Sequence, residues 1–317
     1  MPTKGVSLKK PNWLKTRPPA GDRYRHIKAN LRSHGLHTVC EEARCPNLHE
    51  CWGGGTATIM LLGGVCTRGC RFCAVTSGHP RGWLDPLEPW KVARVLEEWN
   101  LDYVVLTSVA RDDLPDGGAA HFARTVHVIK QRIPRMLVEV LIPDFQGDRE
   151  ALREVVEARP DVIGHNVETV ERLTPKVRDR RAHYEQSLQV LKAVKELDPT
   201  RYTKSSLMLG LGETEGEVLQ TMKDLRAVGV DFLTLGQYLQ PTKKHLPVER
   251  YLPPEEFERY RRMGEELGFL YVAAGPLVRS SYRAGEFFLR SLIRGRAQAR
   301  ERERKGGREA HGQEHKS

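Results

Sequence analysis

Three cysteines lie within eight residues of this 317-residue chain, in the stretch CTRGCRFC. They are Cys66, Cys70 and Cys73, with the spacing C-x3-C-x2-C. Structural zinc needs four ligands, which usually come as C-x2-C pairs about a dozen or more residues apart. An iron–sulfur cubane can take three neighbouring thiolates and leave one iron open to a substrate or cofactor. We interpret this loop as such a cluster site, with zinc or a buried structural triad as the alternative.

A second group of cysteines precedes this loop. Cys40, Cys45 and Cys51 lie in VCEEARCPNLHECW with the spacing C-x4-C-x5-C, and all six cysteines fall between residues 40 and 73. An even number of cysteines can indicate disulfides, but nothing in the sequence suggests secretion and the cytosol keeps thiols reduced. We therefore predict a second set of metal or cluster ligands, with an unrelated structural role as the alternative.

The composition is that of a soluble globular protein, with 39% hydrophobic and 29% charged residues. There is no apolar run of about 18 residues, as a transmembrane helix requires, and the basic start MPTKGVSLKK lacks the apolar stretch of a secretory signal. We expect a cytoplasmic protein, with a mitochondrial or plastid origin as the alternative. The net charge of +10 favours anionic partners, but much of it is terminal and does not by itself indicate nucleic-acid binding.

Strand-like and helix-like segments alternate after residue 56. Parallel βαβ units follow from this order, and repeated right-handed crossovers can curl the sheet. We predict an α/β fold, a partial (βα)6 barrel, with a seventh apolar run at 269–278 as a closing strand or an extension. The predicted strands are 57–62, 103–109, 136–143, 161–167, 202–210 and 231–239. The predicted helices are 88–98, 119–132, 149–158, 184–197, 215–228 and 254–267.

Three regions follow from this pattern: an extension (1–56) with the upstream cysteines, the barrel (57–286), and a charged tail (287–317) predicted to be disordered. In βα folds, ligands bind at the carboxyl ends of the strands. CTRGCRFC follows the first strand, so its thiols should lie at the barrel mouth. Asp112 and Asp113, after the second strand, could cap the next helix or face the substrate.

The cysteine spacing resembles the radical S-adenosylmethionine (SAM) superfamily, given the aromatic Phe72 before the last cysteine and the position after the first strand. The resemblance implies that SAM chelates the open iron and is cleaved to a 5′-deoxyadenosyl radical. The protein then supplies orientation and excludes water. Candidate SAM contacts are polar residues of the strands and their ends: first Asn166 and Glu168, then Thr107, Ser108 and Lys204.

Further motifs resemble the lipoyl synthase family, including CEEARCPN, SVARDDLPDGGA, KSSLMLGLGE and VRSSYRAGE, over roughly residues 36 to 286. This resemblance implies two 4Fe–4S clusters, the second held by Cys40, Cys45, Cys51 and a serine of the R-S-S-Y motif. We assign that role to Ser281, with Ser280 as the second choice. Spacing alone would favour a turn or a helix cap. Serine oxygen is a harder ligand than thiolate, which suits a cluster that is taken apart.

The resemblance also implies the reaction, a sulfurtransferase activity. Two sulfur atoms would be inserted at the sixth and eighth carbons of an octanoyl chain held on a carrier-protein lysine, with the auxiliary cluster as the sulfur donor. Those C–H bonds are unactivated, and a carbanion there would have no stabilisation. Hydrogen-atom abstraction by a carbon radical is therefore needed, once for each position.

The implied partners are octanoylated lipoyl-carrier proteins, namely E2 subunits of 2-oxoacid dehydrogenases and the glycine cleavage H protein. An electron donor such as ferredoxin or flavodoxin and iron–sulfur carrier proteins are also implied, with no nucleic acid or membrane. One alternative is a tRNA-modifying radical SAM enzyme, although no recognisable RNA-binding appendage follows the barrel. Another is a zinc-stabilised nucleic-acid-binding protein. Metal content separates the zinc alternative from the iron–sulfur interpretation. Two cubanes carry about eight iron and eight sulfide per chain, whereas the zinc protein would carry one or two zinc ions.

Overall fold

The described part of the chain comprises residues 9–16, 21–53, 58–99 and 101–281, with 291, 292 and 295, in a computed structural model. The chain divides into two units, Met1–Tyr282 and Arg283–Ser317. The fold below is that of the first unit. The predicted charged tail at 287–317 lies almost wholly outside the described residues.

One mixed sheet organises the first unit. Its strand order is β1-β2-β5-β6-β7-β8-β9-β10, and every neighbouring pair is parallel except β1, which runs antiparallel to β2. Strands β3 and β4 form a separate parallel pair. The strands are β1 His37–Thr38, β2 Thr58–Leu61, β3 Val65–Cys66, β4 Thr76–Ser77, β5 Tyr103–Ser108, β6 Leu137–Leu141, β7 Val162–Gly164, β8 Tyr202–Leu209, β9 Phe232–Gln237 and β10 Tyr271–Gly275.

Helices connect the parallel strands, as the alternation predicts. The helices are α1 Asp22–Ser33, α2 Val39–Glu42, α3 Leu48–Gly53, α4 Glu88–Trp99, α5 Ala119–Arg132, α6 Arg149–Glu157, α7 Thr174–Val177, α8 Tyr184–Leu197, α9 Glu215–Ala227 and α10 Pro254–Glu266, with 3-10 turns at Asn12–Leu14, Phe145–Gly147 and Glu171–Leu173. The predicted α/β fold is confirmed, and the seventh apolar run contains β10, which pairs with β9. Within the described residues, β1 and β10 form the two edges of an open sheet.

The two faces of the sheet differ in chemistry because side chains alternate along each strand. Apolar residues such as Val104 and Leu106 pack in one core with residues of α4 and α5 such as Val92 and Phe122. On the opposite, concave face, the Lys204 ammonium lies 2.7 Å from a Glu139 carboxylate oxygen, and the Tyr103 hydroxyl donates to the same carboxylate. The helices therefore cover the outer face, and the concave face carries polar groups.

The extension before the barrel is more ordered than its Pro- and Gly-rich composition predicts. Helix α1 buries Ile27 and Leu31, and the rings of Tyr24 and Trp52 lie 5.2 Å apart. Strand β1 adds to the barrel edge through the pair His37 and Met60. The extension thus packs on the barrel through both an edge strand and a small core. No helix in the described ranges is long and apolar enough to cross a bilayer.

Candidate active site

The loop CTRGCRFC begins at the end of β3 and carries its three thiols beside the carboxyl end of β2. The N–H of Cys73 donates to the carbonyl of Cys70 at 3.1 Å, which makes a turn of the last four residues. The backbone N–H of Arg68 points at the Cys66 sulfur at 3.4 Å, and the N–H of Asp179 points at the Cys70 sulfur at 3.3 Å. All three thiols are half-buried and free.

Arg68, between the first two cysteines, anchors the loop to the barrel. Its guanidinium binds Asp112 (2.9 and 3.0 Å) and Asp144 (2.6 Å for both contacts), and both Arg68 and Asp144 are buried. Burial alone would raise the pKa of Asp144, but the Arg68 guanidinium outweighs it and lowers that pKa to about 2. Thr67 donates its hydroxyl to Asp112 at 2.8 Å. The residues between the cysteines therefore fix the thiols through buried charge.

A second anchor comes from the segment after α7. The Gly69 N–H donates to Asp179 at 2.8 Å, and Arg181 donates to the Thr67 carbonyl at 2.7 Å. Arg181 also binds the Asp179 carboxylate at 2.8 Å and holds its pKa far below the usual range. Each of the three residues separating Cys66 from Cys70 is thus bonded to the barrel.

Cys70 and Cys73 are weak acids in this environment. Burial, together with the neighbouring cysteines and Glu168, raises the pKa of Cys70 to about 11 and that of Cys73 to about 12. Because the thiolate is the form that binds metal, iron binding must release these protons. The site is therefore built for neutral thiols or for thiolates compensated by iron.

Asn166 and Glu168, the leading predicted SAM contacts, are brought to these thiols. The Asn166 amide donates to the Glu168 carboxylate at 3.1 Å. The Glu168 backbone has φ +68° and is held by bonds to Ser206 (3.0 Å) and Met208 (2.9 Å) of β8. Burial raises the pKa of Glu168, while the Arg178 guanidinium opposes the rise. An amide and a carboxylate thus face the thiol loop from β7.

The three secondary candidates are placed differently. Thr107 lies on the concave face and donates its hydroxyl to the Leu141 carbonyl at 3.0 Å. By strand alternation Ser108 lies on the helix-covered side with Leu106, and its buried hydroxyl has no partner in the described chain. Lys204 is on the concave face, but its ammonium is ion-paired with Glu139. The structure therefore places Thr107 on the concave face, Ser108 on the helix-covered side, and the Lys204 ammonium in an ion pair with Glu139.

Asp112 and Asp113, the first two of the three aspartates of RDDLPDGG, do not cap the following helix. Asp116 has that role, accepting from the N–H groups of Gly118 and Ala120 at 2.9 Å each. Asp112 holds Arg68, and Asp113 forms a buried pair with Arg111 at 2.8 Å. The capping interpretation is wrong, and the pair serves to position loops around the mouth.

The upstream cysteines lie on the extension. Cys40 is on α2, Cys51 is on α3, and Cys45 lies between them, with its N–H bonded to the Cys40 carbonyl at 3.0 Å. Burial, together with Cys45, raises the pKa of Cys40 to about 11. Burial also raises the pKa of Cys45, against the opposing effect of Arg279. The upstream cysteines therefore lie close to Arg279, near the C-terminal end of the first unit.

The segment after β10 crosses to these upstream cysteines. The Asn47 amide donates to the Leu277 carbonyl at 2.6 Å. The crossing needs a glycine in β9, because a Cβ on Gly236 would lie 2.0 Å from the Val278 carbonyl oxygen. Ser281 follows directly and is half-buried. The predicted serine ligand thus lies two residues beyond Arg279, which faces Cys45.

Both groups fit an iron–sulfur cluster by the chemistry of their donors. Within the described ranges, no three Cys, His, Asp or Glu side chains converge as one bound metal ion would require. A cubane binds each thiolate through a different iron, so its ligands stand apart. Three free thiols in each group match that demand.

The comparisons with known proteins agree with this geometry. Residues 60–225 match the Radical SAM superfamily, and residues 2–45 match the N-terminal domain of lipoyl synthase of the Radical SAM family. A lipoyl synthase of Thermus thermophilus is 60% identical over 91% of this chain and 90% of its own length. A mitochondrial lipoyl synthase of Aedes aegypti is 58% identical over 93% of this chain and 76% of its own.

The chain belongs to the lipoyl synthase family. It is an enzyme with lipoyl synthase activity, a sulfurtransferase of radical SAM type that uses SAM and 4Fe–4S clusters and acts on lipoyl-carrier proteins. A crystal structure of methylornithine synthase has the same fold, with a TM-score of 0.51 at 12% identity over 82% of this chain and 80% of that one. Relatives with and without a mitochondrial name occur.

Sequence reasoning missed the residues that support this lipoyl synthase site. Asp144 follows the carboxyl end of β6, where the strand-end rule could have found it. Arg68 lies inside the cysteine motif, so its position in the sequence could have identified it as a supporting residue. Arg178 and Asp179 have no local signal, because they follow a short helix after β7 and reach the thiols only through the folded chain.

Proposed function

We propose that Cys66, Cys70 and Cys73 hold the SAM-binding cluster of this lipoyl synthase and that its substrate is a protein-bound N6-octanoyl-lysine. When bound, that cluster and SAM supply a 5′-deoxyadenosyl radical, which removes hydrogen atoms from the sixth and eighth carbons. The barrel holds the thiols through Arg68 and Asp179, so that the reacting groups keep one orientation. Support comes from the anchoring of every residue between Cys66 and Cys70.

Asn166 and Glu168 are proposed to bind SAM. The pair offers an amide and a carboxylate next to the thiols, and these can accept from the amino and hydroxyl groups of the cofactor. Thr107 is a further contact candidate on the same face. Ser108 and Lys204 have other surroundings, and we assign them no contact.

Cys40, Cys45, Cys51 and Ser281 are proposed to hold the auxiliary cluster. When bound, this cluster supplies the sulfur atoms that are inserted. A serine oxygen is a poorly matched ligand for cluster iron and is readily displaced. The Asn47–Leu277 bond and the glycine at position 236 support the assignment, since they hold the 277–281 segment beside Cys45.

The observation that carries the proposal is the presence of two three-thiol groups in one barrel unit. Insertion of sulfur by a carbon radical needs a radical source and a sulfur source near one substrate. The proposed carriers are E2 subunits and the H protein, with ferredoxin or flavodoxin as reductant and iron–sulfur carriers for repair. We propose a cytoplasmic location, and cell fractionation tests it against the mitochondrial alternative.

Anaerobic reconstitution tests the function directly. The protein is mixed with SAM, dithionite and an octanoyl-lysine peptide, and products are followed by mass spectrometry. We expect a mass gain of two sulfurs, 5′-deoxyadenosine, and loss of auxiliary-cluster iron. A fully iron-loaded protein that yields 5′-deoxyadenosine without altering the peptide would contradict the substrate, and one that yields neither would contradict the mechanism.

A further inference from the structure

Exposed apolar side chains concentrate at one place on the surface. Five large hydrophobic residues are exposed in the described chain, and three of them fall within eight residues: Trp83 at 65%, Leu87 at 58% and Trp90 at 39%. The other two are Trp13 and Leu270. We call Trp83, Leu87 and Trp90 the tryptophan patch. Soluble proteins rarely leave such clusters uncovered unless they bind a partner.

The tryptophan patch borders the barrel mouth. Helix α4 starts at Glu88 and returns antiparallel to the strands, so its first turn lies at the strands' carboxyl ends, where ligands bind. Trp90 is in that first turn, and the guanidinium of Arg124, on α5, lies 4.4 Å from its ring centre. The patch is thus at the same end of the barrel as the thiol loop.

The backbone under Trp83 is fixed by the same motif that fixes the thiols. Arg111 donates to the Trp83 carbonyl at 2.9 Å, and the Gly82 N–H donates to Asp113 at 2.8 Å. Arg111 and Asp113 form a buried pair. The residue between them, Asp112, holds Arg68 of the cysteine loop. Three consecutive residues therefore set the position of the patch relative to the thiols.

The charge around the tryptophan patch is positive. Arg81 and Arg124 are exposed, and neither forms an ion pair within the described ranges. The nearby acids are already engaged: Asp85 lies 2.6 Å from the Lys91 ammonium, and Glu88 is buried beside His121. An apolar centre with unpaired cations on its rim fits a partner that is apolar with carboxylates around it.

We propose that the tryptophan patch docks the folded carrier domain through an apolar face of that domain rimmed by carboxylates, beside its acylated lysine. This inference rests on the proposed function. The lysine must enter the mouth that the patch borders, so a domain seated on Trp83 places that lysine beside the entrance. Tryptophan anchors often carry much of the binding energy at an interface. A short acyl-lysine peptide, in contrast, reaches the mouth without touching the patch.

The test compares two substrates, an octanoylated carrier domain and an octanoyl-lysine peptide. For Trp83→Ala in the full-length, cluster-loaded enzyme, we expect KM for the domain to rise about tenfold, a loss of about 1.4 kcal/mol, with kcat unchanged. Kinetics with the peptide should not change. Leu270→Ala, which removes an exposed apolar side chain just before β10, at the amino ends of the strands, is the control and should leave both substrates unaffected.

A second variant keeps the test independent of any local effect of losing the indole. Arg124→Glu reverses one rim charge and should raise KM for the domain in a salt-dependent manner, again without affecting the peptide. Equal changes for domain and peptide, or no change for either substrate with both variants, would overturn the docking proposal. So would a wild-type dimer that Trp83→Ala converts to monomers, since a second copy would then cover the patch. Failure of the wild type on the peptide would instead contradict the proposed function.

Discussion

The two cysteine groups are held in different ways. Between Cys66 and Cys70, each residue is bonded to barrel side chains, through the buried charges of Arg68, Asp112 and Asp144 and through Asp179. The upstream group sits on two short helices and meets the far end of the unit through Asn47 and Arg279. The barrel group is thus bonded to barrel side chains, which we call its scaffold. The upstream group lies where residues 40–51 meet residues 277–281, and we call this contact the joint.

The difference matches two different demands. A cluster that cleaves SAM in every turnover benefits from a rigid setting, because its geometry must be restored each time. A cluster that gives up sulfur has to lose its ligands and be rebuilt, which a joint of two segments permits. Variants that affect only one of the two cysteine groups therefore test this difference.

The largest expected effect separates the two groups by reaction product. Cys66→Ala should reduce 5′-deoxyadenosine formation to background, because the SAM-binding cluster loses a ligand. Cys45→Ala should preserve that product and abolish sulfur insertion. Mass spectrometry of both products, with iron counted per chain, checks the result. Equal loss of 5′-deoxyadenosine in the two variants would contradict the division of roles.

The next effect concerns the scaffold under the barrel loop. Arg68→Lys keeps the charge but loses the guanidinium's paired bonds to Asp112 and to the buried Asp144, and a hydrogen bond to a charged group contributes about 1.5–3 kcal/mol. Arg71→Lys in the same motif is the control, since Arg71 is exposed and should change stability by about 0.5 kcal/mol or less. Anaerobic urea unfolding measures both. Similar losses in the free energy of unfolding for the two variants would show that the hydrogen bonds of the Arg68 guanidinium do not support the loop.

Acid should weaken the same scaffold. The folded pKa of Asp144 is about 2, below the unfolded value of about 3.9. A depressed folded pKa contributes stability above the unfolded pKa and loses it as pH falls through the folded pKa. About 2 kcal/mol should therefore disappear between pH 4 and pH 2. Asp144→Asn should lose this dependence, as measured by unfolding of the metal-free protein across that range.

The smallest effect tests the joint. Gly236→Ala pushes a methyl group into the Val278 carbonyl and should displace the 277–281 segment, at a cost of about 1–2 kcal/mol. Auxiliary-cluster iron should fall while 5′-deoxyadenosine formation stays. Gly216→Ala, on α9 with open space around it, is the control and should be neutral or slightly stabilising. Unchanged iron content in Gly236→Ala would contradict the proposal that the 277–281 segment helps to hold the auxiliary cluster.

The sequence predicted the fold and the thiol positions well because both depend on local patterns. Strand and helix periods gave the order of the parallel sheet, and the cysteine motif follows β2 directly. Asn166 and Glu168 were chosen as polar residues at a strand end, and the fold places them near the thiol loop, while their contact with SAM stays a prediction. Helix α1 is absent from the predicted helices, although Tyr24, Ile27 and Leu31 have helical spacing.

The support of the site could not be predicted, since it joins residues far apart in sequence. Arg68 and Asp144 are 76 positions apart, and Lys204 and Glu139 are 65 apart. The Lys204 prediction treated an isolated polar residue of a strand as free for a ligand. In the fold, that residue shares the concave face with a carboxylate, which takes up its charge.

The bond between Asn47 and Leu277 spans 230 positions and has a consequence for biosynthesis. A ribosome adds about 5–20 residues per second, so the upstream thiols wait roughly 10–50 s for the segment that completes their site. The barrel loop finds its last described support at Leu246, whose N–H donates to the Arg71 carbonyl at 3.1 Å, and Leu246 is made before Leu277. A nascent chain can therefore accept its SAM-binding cluster first, and Cys40, Cys45 and Cys51 need protection from oxygen until synthesis is nearly finished.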